Sequence, residues 1–300
     1  MRIGIFGGDT AGRTIDNVIE EARRAEADGF ASYSLPQIFA LDAMGVLAVV
    51  AHEVPRITFA TGVVPTYSRH PLTMAQQALT VQAASGGRFV LGIGLSHQMV
   101  IEGMFGLSFE QPVRHMREYL SVLMPLLHDR TCAFSGETIT TNASVGVTDV
   151  PPPQVLVAAL GPKMLQLAGR VADGTVTWMT GPTTLASHTV PAITNAAEAA
   201  GRPAPEVYAS LPICVTDDAD AARTRAAKEF QVYGFLPSYR AMLDREGAET
   251  PGDVAIAGDQ ATVEKALGQL RDAGVTEFVA SVFGAREERD RTRAFLQSSL

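Results

Sequence analysis

Cysteine is scarce: Cys132 and Cys214 are the only two in 300 residues. They lie far apart and form no CxxC pair, which argues against a zinc site and a disulfide-stapled secreted scaffold and fits a reducing cytoplasm. Charge is sparse too, at 19% of residues, and its balance is acidic, with 32 Asp and Glu against 24 Lys and Arg. The resulting net charge of −8 sets up no field that would draw in DNA, RNA or an anionic membrane. Long apolar runs are missing, so no signal peptide or transmembrane helix is expected, and the chain reads as a strand from Ile3 onward. Several catalytic motifs are missing as well. There is no Walker loop, HExxH helix or GxSxG elbow. Gly92-Ile93-Gly94 falls short of the dinucleotide fingerprint because His97 stands where the third glycine belongs.

What remains is a chain with 46% apolar residues and ordinary glycine and proline usage, enough for a large core. Short runs rich in Ile, Val and Phe alternate with helical patterns, as in repeated βα units around a parallel sheet. Strands are expected at 2–6, 30–35, 57–64, 88–92, 154–159, 174–178, 206–214 and 276–281. Helices are expected at 14–28 (ended by Gly29), 41–51, 71–84, 112–128, 164–172, 185–200, 218–233, 261–273 and 287–296. A hairpin around Ser135-Gly136-Glu137 and the Pro151-Pro152-Pro153 run mark an insertion at 130–153. Eight strands and no Gly-Ser linker predict an α/β fold, a (β/α)8 TIM barrel forming a single domain over 1–300, with an open doubly wound sheet as the alternative. In a barrel the chemistry belongs on the loops after the carboxyl ends of the strands.

Those loops carry Gly7-Gly8-Asp9, Leu35-Pro36-Gln37, Gly62-Val63-Val64-Pro65 and Gly92 to His97. Glycines there allow a planar or phosphorylated ligand to approach the backbone, or simply relieve crowding at a strand end. His52 and His128 sit near helix ends, His115 and His188 read as helix-surface residues, and His70 precedes Pro71 as a helix-orienting group. His97 differs, following a barrel strand beside Gly94 and Ser96, where a proton donor or ligand contact belongs. No two histidines have metal-ligand spacing. Leu160-Gly161-Pro162-Lys163 joins a strand end to a helix start and suits a phosphate, or serves as an ordinary connection. Trp178, the only tryptophan, ends the next strand ahead of Thr180 and Gly181, and core packing is its ordinary role.

Two long segments carry a family resemblance. Residues 61–71 (TGVVPTYSRHP), continuing through AQQA at 75–78 to SGGRFVLGIG at 85–94, and residues 161–174 (GPKMLQLAGRVADG) resemble the luciferase-like monooxygenase superfamily. With Pro36-Gln37 and Ser96-His97, the chain is most similar to its coenzyme F420-dependent oxidoreductase branch. The resemblance implies a TIM barrel, usually dimeric, with a flavin-like ring at the carboxyl ends of the strands. It also implies a non-prolyl cis peptide at Gly62-Val63, with Val63 and Val64 behind the ring. Leu160 to Lys163 would take the phosphate of the tail, near Thr180 and Gly181, with Lys163, Arg69 or Arg286 as cations.

Sugar-phosphate and alcohol dehydrogenases of that branch carry an acid and a histidine where this chain has Pro36 and Gln37, so their substrates are not expected here. The expected activity is hydride transfer between coenzyme F420 and a small organic substrate, with His97 relaying a proton in place of the family's glutamate and Gln37 beside it. Pro36, Gly62, Val63, Val64, Gly92, Gly94, Ser96, Leu160, Gly161, Pro162, Lys163, Trp178, Thr180 and Gly181 would hold the cofactor. FMN-dependent monooxygenation, and a flavin- or deazaflavin-binding protein without turnover, are the alternatives.

Overall fold

In the computed structural model, which describes residues 1–300, the chain opens with strand β1 (Arg2–Phe6), β2 (Ser32–Leu35), β3 (Thr58–Thr61), β4 (Val64–Pro65) and β5 (Phe89–Gly94). An antiparallel hairpin, β6 (Thr131–Ser135) and β7 (Thr140–Ser144), interrupts the series. It resumes with β8 (Gln154–Val157), β9 (Gly174–Trp178), β10 (Glu206–Val215), β11 (Ile256–Gly258) and β12 (Glu277–Val282). Strands β1, β2, β3, β5, β8, β9, β10 and β12 pair in parallel in that order, and β12 returns to β1, closing the cylinder. This is the (β/α)8 barrel expected, and the open sheet is excluded by the β1–β12 pairing. The short β11 extends the upper half of β10.

Sequence chemistry explains the units. The helix Ile15–Ala27 begins at a Thr14/Asn17 capping box, buries Val18, Ile19, Ala22 and Ala25, and is followed by Gly29 at φ +87°. The helices Pro71–Ala84 and Pro112–His128 fall on their predicted bounds, each started by proline. The expected strand over 57–64 is instead split. A cis peptide at Gly62-Val63 separates β3 from β4. β3 pairs Ala60 with Val90, whereas β4 pairs Val64 with Ile93, so one extra residue bulges from the wall. The helix expected over 185–200 starts earlier, at Pro182, and passes through a π-helical turn at Leu185–Thr189. Four further elements lie in segments where no element was expected: the helices Gln98–Gly103 and Pro237–Glu246, the 3₁₀ turn Pro251–Val254, and β11.

The inner and outer faces pack differently. A large core fills the space between barrel and helices, whereas Ala60, Val90, Leu156, Tyr208 and Val279 pack with Phe6 and Val176 inside the cylinder. At the amino-terminal ends of the strands, buried Glu277 pairs with Arg2 and accepts from Ser32, and Arg2 also reaches Glu206. This ionic cluster sits at the base of the cylinder. The hairpin is tied down by buried Glu118, which accepts from the N–H groups of Glu137, Thr138 and Ile139 and from the Thr138 hydroxyl. These bonds to the ionised form hold the carboxyl down at about 2.

Candidate active site

Two adjoining chambers occupy the carboxyl end of the barrel. The first, about 760 Å³, lies between the loop after β5, the start of the helix Pro162–Val171 and the segment Phe235–Tyr239. The second, about 730 Å³, descends into the barrel over Ala60, Leu156 and Val279 and opens between Gly8-Asp9, Gln37–Phe39 and the Glu229–Tyr233 segment. Val63, Ser96, His97, Trp178 and Tyr239 border both.

One part of that shared wall exists because glycines make room for it. A Cβ on Gly94 would meet Val63 Cγ2 at 2.8 Å, and one on Gly62 would meet Ser34 Oγ at 2.8 Å. The bulge therefore carries Val63 against the β5 backbone and presents it to both chambers. Gln37 N–H donates to the Val63 carbonyl at 3.4 Å. The facing part is built of rings: Trp178 stacks on Phe6 with centroids 5.9 Å apart and meets Phe230 and Tyr233 edge-on. The indole N–H of Trp178 is buried, with the Tyr233 side chain beside it.

His97 sits where Ser96, at φ +61°, turns the chain out of β5. Its ring packs against Tyr239, centroids 5.7 Å apart. Burial lowers its pKa below the ordinary histidine value, so the ring is neutral at pH 7 and ready to accept a proton. Of the other histidines, His115 and His188 depart from the sequence reading and His70 matches it. His115 does not lie on an open helix surface; it stacks on Tyr67 at 3.9 Å, lies 3.0 Å from the Thr66 hydroxyl, and is driven down to about 4 by burial. His188 lies 2.9 Å from the Leu160 carbonyl through Nε2, tying the π-helical turn to the loop that precedes Gly161. His70 accepts from the Leu72 N–H at the start of its helix.

The structure gathers many, but not all, of the candidate residues. Pro36, Gln37, Gly62, Val63, Gly94, Ser96, His97, Leu160, Gly161 and Trp178 line one or both chambers. Pro162 and Lys163 are exposed at the start of the helix that begins beside Gly161, and no side chain caps that helix. Gly92 does not reach the cavity: a Cβ there would strike the Thr61 carbonyl oxygen at 2.0 Å, so it serves the β3–β5 contact. Val64 is fully buried in the core. Thr180 and Gly181 lie behind Trp178, where the Thr180 hydroxyl donates to the Trp178 carbonyl and Gly181 faces Glu246. Gln37 accepts from Ala43 N–H through Oε1 at 2.8 Å, so its side chain anchors the helix Ala43–Glu53. Arg69 is committed to Asp42, and Arg286 is 90% exposed and lines neither chamber. Sequence reasoning missed Phe230, Tyr233, Phe235 and Tyr239, which complete the ring-built wall. No group of three His, Cys, Asp or Glu side chains is placed to hold a metal, and no helix is long and apolar enough to cross a membrane.

The comparisons agree with this architecture. The family model for luciferase-like monooxygenase matches residues 1–298. The 5,10-methylenetetrahydromethanopterin reductase of Methanolobus tindarius is 28% identical over 284 residues, covering 93% of this chain and 85% of the relative. Among solved structures, the coenzyme F420-dependent tetrahydromethanopterin reductase from Methanopyrus kandleri superposes with a TM-score of 0.83 at 22% identity, over 100% of this chain and 98% of that one. The oxygenating constituent of 3,6-diketocamphane monooxygenase from Pseudomonas putida, solved with FMN, gives 0.78 at 16% identity, over 99% and 96%. The two structural likenesses concern the fold, while the family model spans nearly every residue. This chain belongs to the luciferase-like monooxygenase family.

Proposed function

We propose that the protein is a coenzyme F420-dependent oxidoreductase that moves a hydride between the deazaflavin and a small organic substrate. The observation that carries this reading is the pair of chambers meeting along Val63, His97 and Trp178, which leaves space for a planar ring and a second molecule beside it. The reductase relative from Methanolobus tindarius and the F420-dependent reductase structure support the choice of cofactor. The residues suit such a ring: the Val63 bulge offers an apolar face, the Trp178 ring borders the chamber, and Gly161 has open space where a Cβ would stand. The uncapped start of the helix Pro162–Val171, with Lys163, suits an anionic tail.

When bound, the deazaflavin supplies hydride chemistry. The protein supplies the rest. Val63, with its carbonyl held by Gln37 N–H, supports the ring from behind. Apolar and aromatic walls exclude water. His97, neutral at pH 7, takes the substrate proton at a ring nitrogen during oxidation and returns it during reduction. We read residues 1–300 as one catalytic domain working as a homodimer, a state that light scattering reads directly.

Parallel equilibrium titrations with oxidised F420 and FMN at fixed salt test the reading. Selective binding of F420 supports it. Preference for FMN moves the function to flavin-dependent oxygenation, and binding of neither overturns the cofactor assignment. F420 bound tightly, with no turnover across a substrate panel, would instead identify a carrier of the cofactor.

A further inference from the structure

Neither chamber is lined by a lysine or arginine, and the second carries the more negative lining, with three carboxylates against Glu102 alone in the first. The floor of the second is apolar, formed by Ala60, Leu156 and Val279. Its sides are ring faces and edges: Phe6, Trp178, Phe230 and Phe283 contact one another in sequence, and Tyr233 meets Trp178 edge-on. No lysine or arginine lines it, yet three carboxylates do. Glu21 is neutralised by Arg13 and accepts from the Tyr33 hydroxyl. Asp9, on the loop after β1, and Glu229, at the end of the helix Ala219–Glu229, are different, being exposed at the rim with no basic partner. Asp9 accepts only from the Ala11 N–H, and its charge reaches Tyr233 across the opening. Ile38, Phe39 and Val232 give the rest of the mouth an apolar surface.

We infer that this chamber selects a conjugated, planar substrate bearing a basic nitrogen and turns away carboxylated or phosphorylated ones. The body of such a molecule lies over the apolar floor between the rings. Its ammonium group sits at the rim, attracted by Asp9 and Glu229 and by the faces of the aromatic side chains. An anion in the same place meets two unpaired carboxylates and no cation. Assigning this chamber to the substrate rests on the reading that the first chamber holds F420.

The test uses the full chain without added cofactor and three planar probes of like size: 2-naphthylmethylamine, 2-naphthylmethanol and 2-naphthoate. Calorimetry gives affinity, quenching of Trp178, the only tryptophan, places the ligand at the two joined chambers, and competition with F420 tells one chamber from the other. The amine is expected to bind about tenfold tighter than the carboxylate at pH 7, with the alcohol between them. Combining Asp9→Asn with Glu229→Gln should erase that ratio while the affinity of the alcohol stays within about twofold. Saturating F420 should leave amine binding in place. The inference is overturned if the carboxylate binds as tightly as the amine, if no probe quenches Trp178, or if F420 displaces the amine. Failure to bind F420 at all overturns the proposed function alone, because the ratio is read on cofactor-free protein.

Discussion

The two sides of the cavity are made by opposite means. Around β3, β4 and β5 the wall is shaped by removing side chains: Gly62, Gly92 and Gly94 let backbone and Val63 come within distances that no Cβ allows. Across from it, around β9 and the segments at 229–239, the wall is shaped by adding bulk, with Trp178 at the centre of a ring cluster. The glycine wall leaves least room for change at Gly92, whose nearest neighbour is the Thr61 main chain, and somewhat more at Gly62 and Gly94, which abut side chains. A ring wall tolerates change better, because side chains can repack.

The contrast is broken most severely by Gly92→Ala. The new methyl group would sit 2.0 Å from the Thr61 carbonyl oxygen, and the loss should reach about 3 kcal/mol or more in urea unfolding. Gly161→Ala, with no atom within 4 Å, should change stability by less than about 0.5 kcal/mol. Trp178→Ala should cost about 2 to 3 kcal/mol by thermal melting, less than a fully buried tryptophan, because the ring is partly exposed and its neighbours can close in. His97→Ala should lower kcat about a hundredfold while leaving the Kd for F420 nearly unchanged.

The sign of the pH dependence follows from burial. His97 has a lowered pKa and acts as the base in its neutral form, so oxidation should hold its rate down to a pH below 6.5 and then fall. That acidic limb should vanish in His97→Ala. His115, also lowered, makes a smaller and separate contribution. Its share of stability is complete above the unfolded value of 6.5 and is lost as pH falls towards about 4, which melting curves of wild type and His115→Phe would show. Tyr239→Phe keeps the ring against His97 and Tyr233 and should shift stability by less than about 0.5 kcal/mol.

The glycine wall was legible in the sequence, whereas of the ring wall only Trp178 was. Alternating apolar strands and proline-started helices are local signals, and they locate all eight barrel strands and the hairpin. Resemblance over 61–94 points to the cis peptide at Gly62-Val63, which the structure contains. Spacing cannot tell which glycine faces a ligand. Gly92 and Gly94 look alike in the chain and lean to the same face of β5, and only the bulge at Gly62-Val63 sets the Thr61 carbonyl against the first and the Val63 side chain against the second. Phe235 and Tyr239 stand in or beside a ten-residue helix, Pro237–Glu246, that buries only Met242 and Leu243. Their part in the cavity comes from a long-range approach to His97 that no local pattern encodes.

Because Val63, His97, Trp178 and Tyr239 border both chambers, neither space can be filled without touching the boundary of the other. Any occupant that shifts the indole or the imidazole alters the affinity of its neighbour, and thermodynamic linkage requires the neighbour to return the same factor. The order in which two ligands arrive then affects the kinetics but not the total free energy. A molecule that tightens on one side of the partition reports, by an equal amount, what stands on the other.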